Sequence, residues 1–208
     1  MYSSRIPLVL KLPFMYLHSM SFIQQYLIPV LLGIGLSAAC GLRVFLPLFI
    51  LSLVAHFGNI SIAENFDWLS SWPAIVAFGS ASIIEIIAYY IPWLDNLLDT
   101  ITIPSSVIAG TLVLATANPE LESVIRWTLA IIAGGGTAGI ISSATALLRV
   151  KSTLVSGGTT NFIVASIETV GSALLTLFTL LLPIFAGIAV VWLMYNAVKL
   201  ILRRKKMT

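Results

Sequence analysis

Charge is what this sequence lacks most. Lys, Arg, Asp and Glu make up 9% of its 208 residues while 59% is apolar, against about 25% charged in an average soluble domain. So little polar surface cannot face water on every side, and lipid is the expected solvent for most of the chain. Cysteine is nearly absent as well. A lone Cys40 has no partner within the chain, which excludes a disulfide scaffold. With only His18 and His56 beside it, a Cys/His metal site is excluded too, and no cofactor is expected. Long polar stretches are missing, so nothing is left over for a soluble domain.

What is present is a series of long apolar runs. About 20 residues rising 1.5 Å each cross a hydrocarbon core of roughly 30 Å. The expected fold is therefore all-α and polytopic, with about six transmembrane helices over residues 26–57, 72–92, 101–117, 124–148, 160–182 and 184–202. The first run is too long for one straight crossing and contains Pro29, Pro47 and Arg43, so it is expected to be kinked or broken. A seven-crossing alternative splits that run at Gly41. It ranks second because it sends the basic residues near the N-terminus and the C-terminal cluster to opposite faces.

Lys and Arg are retained in cytoplasmic loops. Six crossings put Arg5 and Lys11, Arg149 and Lys151, and Arg203 to Lys206 on one side, with Glu64, Asp67, Glu120 and Glu122 on the other. Both termini are then expected in the cytoplasm of a protein of the plasma or inner membrane. The organisation that follows is an N-terminal extension over 1–23, one transmembrane helical domain over 24–203 and a basic tail over 204–208.

Three ionisable residues, Arg43, Glu85 and Glu168, fall inside apolar runs, where an unpaired charge costs about 3 kcal/mol on insertion scales. Counting from the ends of the runs puts both glutamates roughly 10 to 12 Å from the cytoplasmic side. Arg43 is the cation expected to reach that layer and to pair with one of them. The other carboxylate is then left to take up a proton, as a proton-coupled carrier requires. The competing reading is one static buried network. At the mouth of such a layer the sequence offers Asp95 and Asp99, four apart and so on one helix face, and Arg149, Lys151 and Asn161 around a hydroxyl-rich loop. Helix capping and lipid headgroup contact would use the same residues.

Small-residue runs recur at 33–41 and 134–139, each followed by an Arg and then by a segment containing Ile-Val-Ala, at Ile75 to Ala77 and Ile163 to Ala165. This suggests two three-helix repeats, inverted by parity, a pattern of carriers with interrupted helices. Aligned on those triplets, Glu85 meets Ala173 and Glu168 meets Ser80, so the charges do not follow the repeat. Close packing of small residues is the alternative.

The run Gly41-Leu42-Arg43-Val44-Phe45-Leu46-Pro47, Glu85 with Pro92, Asp95 and Asp99, Ile103-Pro104 with Ala109-Gly110, the Gly-rich fourth run, and Asn161 with Glu168 together resemble the small bacterial membrane proteins of domain-of-unknown-function family 4126. The resemblance covers roughly 32–183 and implies a membrane fold without an activity. The chain departs from the pattern at 88–90, where Tyr89 and Tyr90 stand in place of a charged residue. Three functions remain in order: a small secondary carrier or lipid translocase using the buried Arg/Glu site, an accessory or assembly subunit with structural charges, and, last, an intramembrane lipid enzyme. No His-Glu-x-x-His or serine–histidine arrangement supports the enzyme. Membrane lipids and a small-molecule or lipid substrate are the expected partners, a homo-oligomer is compatible with the sequence, and the basic tail points to anionic headgroups rather than nucleic acid.

Overall fold

The computed structural model describes residues 23–58, 62–156 and 161–204. The described residues form helices and connecting turns, with no strand among them. A short π-helical turn, Ile23–Leu27, leads into α1 (Ile28–Leu42), followed by α2 (Phe45–Phe57), a 3-10 segment Glu64–Ser70, α3 (Trp72–Ala88) and α4 (Pro92–Thr116). Then come α5 (Ser123–Leu129), a π-helical stretch Ala130–Gly135 that continues into α6 (Gly136–Ser156), α7 (Asn161–Leu181) and α8 (Pro183–Arg204). Three continuous helical stretches, Ile23–Leu42, Ser123–Val150 and Asn161–Leu181, are long and apolar enough to cross a membrane, and four shorter apolar helices accompany them. The extension over 1–22, the loop over 157–160 and the end of the basic tail over 205–208 lie outside the described residues.

The helices run between two ends, and long-range contacts fix which terminus of each lies where. At one end Gln25 donates to Glu120 (3.4 Å), the amide of Ala63 donates to the carbonyl of Thr116 (3.3 Å), and the rings of His56 and Trp72 stand 4.8 Å apart. At the other end Arg43 reaches Ala165 in α7, Glu85 reaches Val44, and Tyr89 reaches Thr102 in α4. The start of α1 and the end of α2 are thus together, and the chain reverses direction at Arg43. This corrects the expected six crossings. Residues 26–57 are two helices folded back on each other, and the described chain makes seven passes. It follows that Ile23 and Arg204 lie at opposite ends, so the expectation of both termini on one side does not hold for the described residues.

The reversal also removes the suggested repeat. The small-residue helices α1 and α6 run in the same direction, whereas α3 and α7, which carry the Ile-Val-Ala triplets, run in opposite directions. No single symmetry relates both pairs. The alternative explanation of the glycines fits instead: they are contact surfaces. A Cβ on Gly110 would lie 2.5 Å from the Cβ of Ala138 and 2.8 Å from the carbonyl oxygen of Gly134, and one on Gly41 would lie 2.7 Å from the carbonyl oxygen of Ala138. Ser37 adds a bridge, its single hydroxyl hydrogen shared between the carbonyls of Gly33 (2.7 Å) and Gly110 (2.8 Å). Backbones therefore touch where α1 and α4 meet the π-helical stretch and the start of α6, through van der Waals packing that needs no difference in solvent affinity between core and surroundings.

Polarity is distributed accordingly. Large apolar side chains such as Ile84, Ile132, Leu147 and Leu181 are exposed, while Ser37, Ser52, Ser106, Ser172 and Thr176 are buried. Exposed apolar surface on this scale suits a hydrocarbon surround. Two glycine substitutions separate close contact from mere helical propensity. Gly110→Ala is expected to lower stability by about 1–3 kcal/mol through overpacking. Gly136→Ala, where a Cβ meets nothing within 4 Å, should be neutral or gain up to about 1 kcal/mol. Thermal unfolding in detergent followed by tryptophan fluorescence would read both.

Candidate functional site

The site begins with a helix that stops. Leu42 is the last residue of α1, Arg43 is extended (φ −142°, ψ 128°), and α2 starts at Phe45. A helix start leaves four backbone donors without partners inside the helix. Pro47 has no N–H to offer, and the amides of Val44 and Phe45 both donate to Glu85, at 2.8 Å to Oε1 and 3.0 Å to Oε2. Glu85 thus lies across the N-terminus of α2, where the helix dipole favours an anion, while Arg43 lies at the C-terminus of α1, where it favours a cation. On the α1 side, the carbonyl of Ala39 accepts from the Arg43 amide and from the Ser172 hydroxyl, each at 3.0 Å.

Arg43 is fully buried. Its Nε donates to the Thr169 hydroxyl (3.0 Å) and its Nη2 to the carbonyl of Ala165 (2.7 Å). Glu168 Oε2 lies 3.9 Å from Nη2, a charge contact longer than a hydrogen bond. The remaining nitrogen, Nη1, is buried with no hydrogen-bond partner. The expected pairing of Arg43 with a glutamate is therefore present only as this long contact to Glu168. Glu168 instead takes both Nε (3.2 Å) and Nη2 of Arg149, a bidentate contact. Arg149 was expected in a loop at a cavity mouth. Because α6 continues to Ser156, it stands on a helix, is 4% exposed and reaches the charged layer itself. Arg43 is not the sole cation there.

Tyr89 joins the two arginines. Its ring centroid lies 4.1 Å from Cζ of Arg43 and 3.8 Å from Cζ of Arg149, both within cation–π range. Its hydroxyl is 2.6 Å from that of Thr102, and the neighbouring Tyr90 hydroxyl is 2.8 Å from that of Ser166. Tyr89 thus occupies the middle of the layer, while Tyr90 is exposed at its edge. Beside Glu85, a cleft of about 290 Å³ opens between α3 and α4, walled by Val44, Phe45, Ile84, Ala88, Ile101 and Ser105. Ile84 and Ile101 are among the exposed apolar side chains, so the cleft opens sideways.

Of the expected mouth residues, Asp95 and Asp99 lie on α4, one turn apart, and Lys151 lies on α6. The side chains of all three lie outside the described residues. Asn161 is the first residue of α7. Arg149, Tyr89, Thr169 and the Ala165 carbonyl were not assigned to the layer from sequence. Ala165 and Thr169 stand three residues before and one residue after Glu168 on α7, but nothing in the sequence placed Arg43 against them.

An all-helical protein with an apolar exterior and a buried charged layer is the class these features define. The chain belongs to the family described as domain of unknown function (DUF4126), whose profile matches residues 30–203. No curated protein and no solved structure matches it.

Removing one partner of a buried ion pair strands the other. Arg149→Met is expected to cost about 3–5 kcal/mol. Arg149→Met combined with Glu168→Leu should cost less than the sum of the two single changes. A double-mutant cycle on unfolding in detergent checks this, and additive losses would contradict the pairing.

Proposed function

We propose that this protein is a small secondary carrier or lipid translocase that uses the layer of Arg43, Glu85, Arg149 and Glu168. One observation carries the reading: a fully buried guanidinium at a helix break keeps a nitrogen unpartnered, a few residues from a cleft that opens sideways. Helix termini flanked by buried charged residues are what carriers present to a polar substrate within the membrane. In this reading the seven passes are crossings. The end bearing Arg149, Lys151, Lys199 and Arg203 faces the cytoplasm, and the acidic end with Asp67, Glu120 and Glu122 faces out.

The second reading is a non-transporting accessory subunit. It is favoured by Glu85, both of whose oxygens are taken up by the Val44 and Phe45 amides, as a structural fastening would be. The two readings differ in whether water ever enters the layer.

Single cysteines resolve both points, because native Cys40 is fully buried and should stay silent. Exposed Gln24→Cys and Asp67→Cys are expected to react with an impermeant thiol reagent from one side, and Leu154→Cys from the other. Thr169→Cys, in the charged layer, is expected to react slowly with a small water-soluble methanethiosulfonate in lipid. Reaction of Gln24→Cys and Leu154→Cys from the same side would contradict the seven crossings. A Thr169→Cys protein that is folded but inert from both sides would favour the accessory subunit.

A further inference from the structure

We infer that the ligand of the charged layer is an oxyanion, a phosphate or carboxylate group, received by Nη1 of Arg43. The inference rests on the reading of the layer as a working site and names the chemistry it would take. Arg43 is 0% exposed. Its two hydrogen bonds go to uncharged acceptors, the Thr169 hydroxyl and the Ala165 carbonyl. Its nearest carboxylate oxygen, on Glu168, stands at 3.9 Å. A buried guanidinium ordinarily has its charge met by hydrogen bonds to an anion, and a donor left bare costs the desolvation of that group. Here the fork is held from one side, by Nε and Nη2, and Nη1 is left buried without a hydrogen-bond partner.

A cation has no comparable place among the described groups. Glu85 is turned onto the amides of α2, and Glu168 accepts from Arg149. Tyr89 offers its ring to Arg43 and Arg149 already. Hydrogen bonds from a guanidinium to phosphate or carboxylate oxygens are charge-assisted and stronger than those to neutral acceptors, and Nη1 has N–H groups to give to such an oxygen. The arriving group would meet Glu168 as a competitor for the same arginine, since that carboxylate is the anion closest to Arg43. The cleft beside Val44 and Ala88 has apolar walls, and these two residues adjoin Arg43 and Tyr89 in the chain. An oxyanion attached to an acyl chain and a free one in water would both present the same group to Nη1.

The experiment uses the full chain in nanodiscs of phosphatidylcholine and follows thermal unfolding. One arm titrates inorganic phosphate, a second includes phosphatidic acid in the nanodisc, and a third titrates choline chloride at matched ionic strength. Saturable stabilisation by phosphate or by phosphatidic acid, and none by choline, is expected. Stabilisation in the first arm assigns a soluble oxyanion, and in the second arm alone a lipid-borne one. Arg43→Lys keeps the charge and loses the fork, and should weaken the response by about tenfold or more. Glu168→Gln removes the competitor, and should strengthen it by about tenfold. A purely structural role for these residues predicts no such opposite signs.

No saturable response in wild-type protein to either phosphate probe, an equal response to choline, or a weaker response in a folded Glu168→Gln protein would overturn the inference. The wild-type titrations stand even where a variant does not fold. The carrier reading fails separately: oxyanion binding in a protein whose charged layer stays closed to the thiol reagent would leave the ligand class intact and remove transport.

Discussion

A helix that stops within apolar surroundings leaves backbone N–H groups with no water to receive them, and the rest of the layer is arranged around how this chain meets that need at Arg43. Glu85, from a helix 41 residues further along, supplies both oxygens to Val44 and Phe45. A carboxylate in that position replaces two water hydrogen bonds and matches the dipole of α2. The cost of burying it is met by the helix start and by the nearby guanidiniums. Each element then has a reason to be where it is. Helix α3 must end beside the tip of the α1–α2 hairpin, which carries Tyr89 into the space between Arg43 and Arg149. Helix α7 must present Ala165, Glu168 and Thr169 to the same point.

Close backbone contact makes this arrangement rigid. In a surround as apolar as the core, helices gain little by hiding leucine, and gain by approaching closely enough for dispersion and for hydroxyl-to-carbonyl bonds. Ser37 bonded across to Gly110, Ser172 bonded across to Ala39, and Gly134 seated against Gly110 are the means used here. The first two brace α1, so that its end at Leu42 is set in position rather than left to fray, and the third joins α4 to the π-helical stretch. The open cleft lies on the other side, between α3 and α4.

Much of the charged layer was legible in the sequence because ionisable residues within apolar runs are rare enough to stand out. Arg43, Glu85 and Glu168 were brought together on that ground, and all three are buried at one end of the bundle. Arg149 was not, for a simple reason: the apolar run ends at Leu148, and hydropathy stops reading where the helix does not. Tyr89 was not legible as part of the layer, since an aromatic ring carries no charge signal and its place depends on the two arginines around it. The reversal at Arg43 was hardest to read. A turn in the chain usually announces itself by a polar loop, but here it consists of Arg43 and Val44, and the groups that make it tolerable are on α3 and α7. Parity then failed with it, taking the inverted repeat and the shared side of the termini along.

The central claim is that Glu85 fastens the start of α2 by its amides, and hydrogen exchange at those amides in a lipid bilayer tests it most directly. In wild-type protein Val44 and Phe45 should be protected to the same degree as the interior of α1, at Ala38 for example. In Glu85→Ala protein those two amides, which border the open cleft, should lose protection while Ala38 keeps it. Free exchange at Val44 and Phe45 in the wild type, or protection that survives Glu85→Ala, would contradict the account.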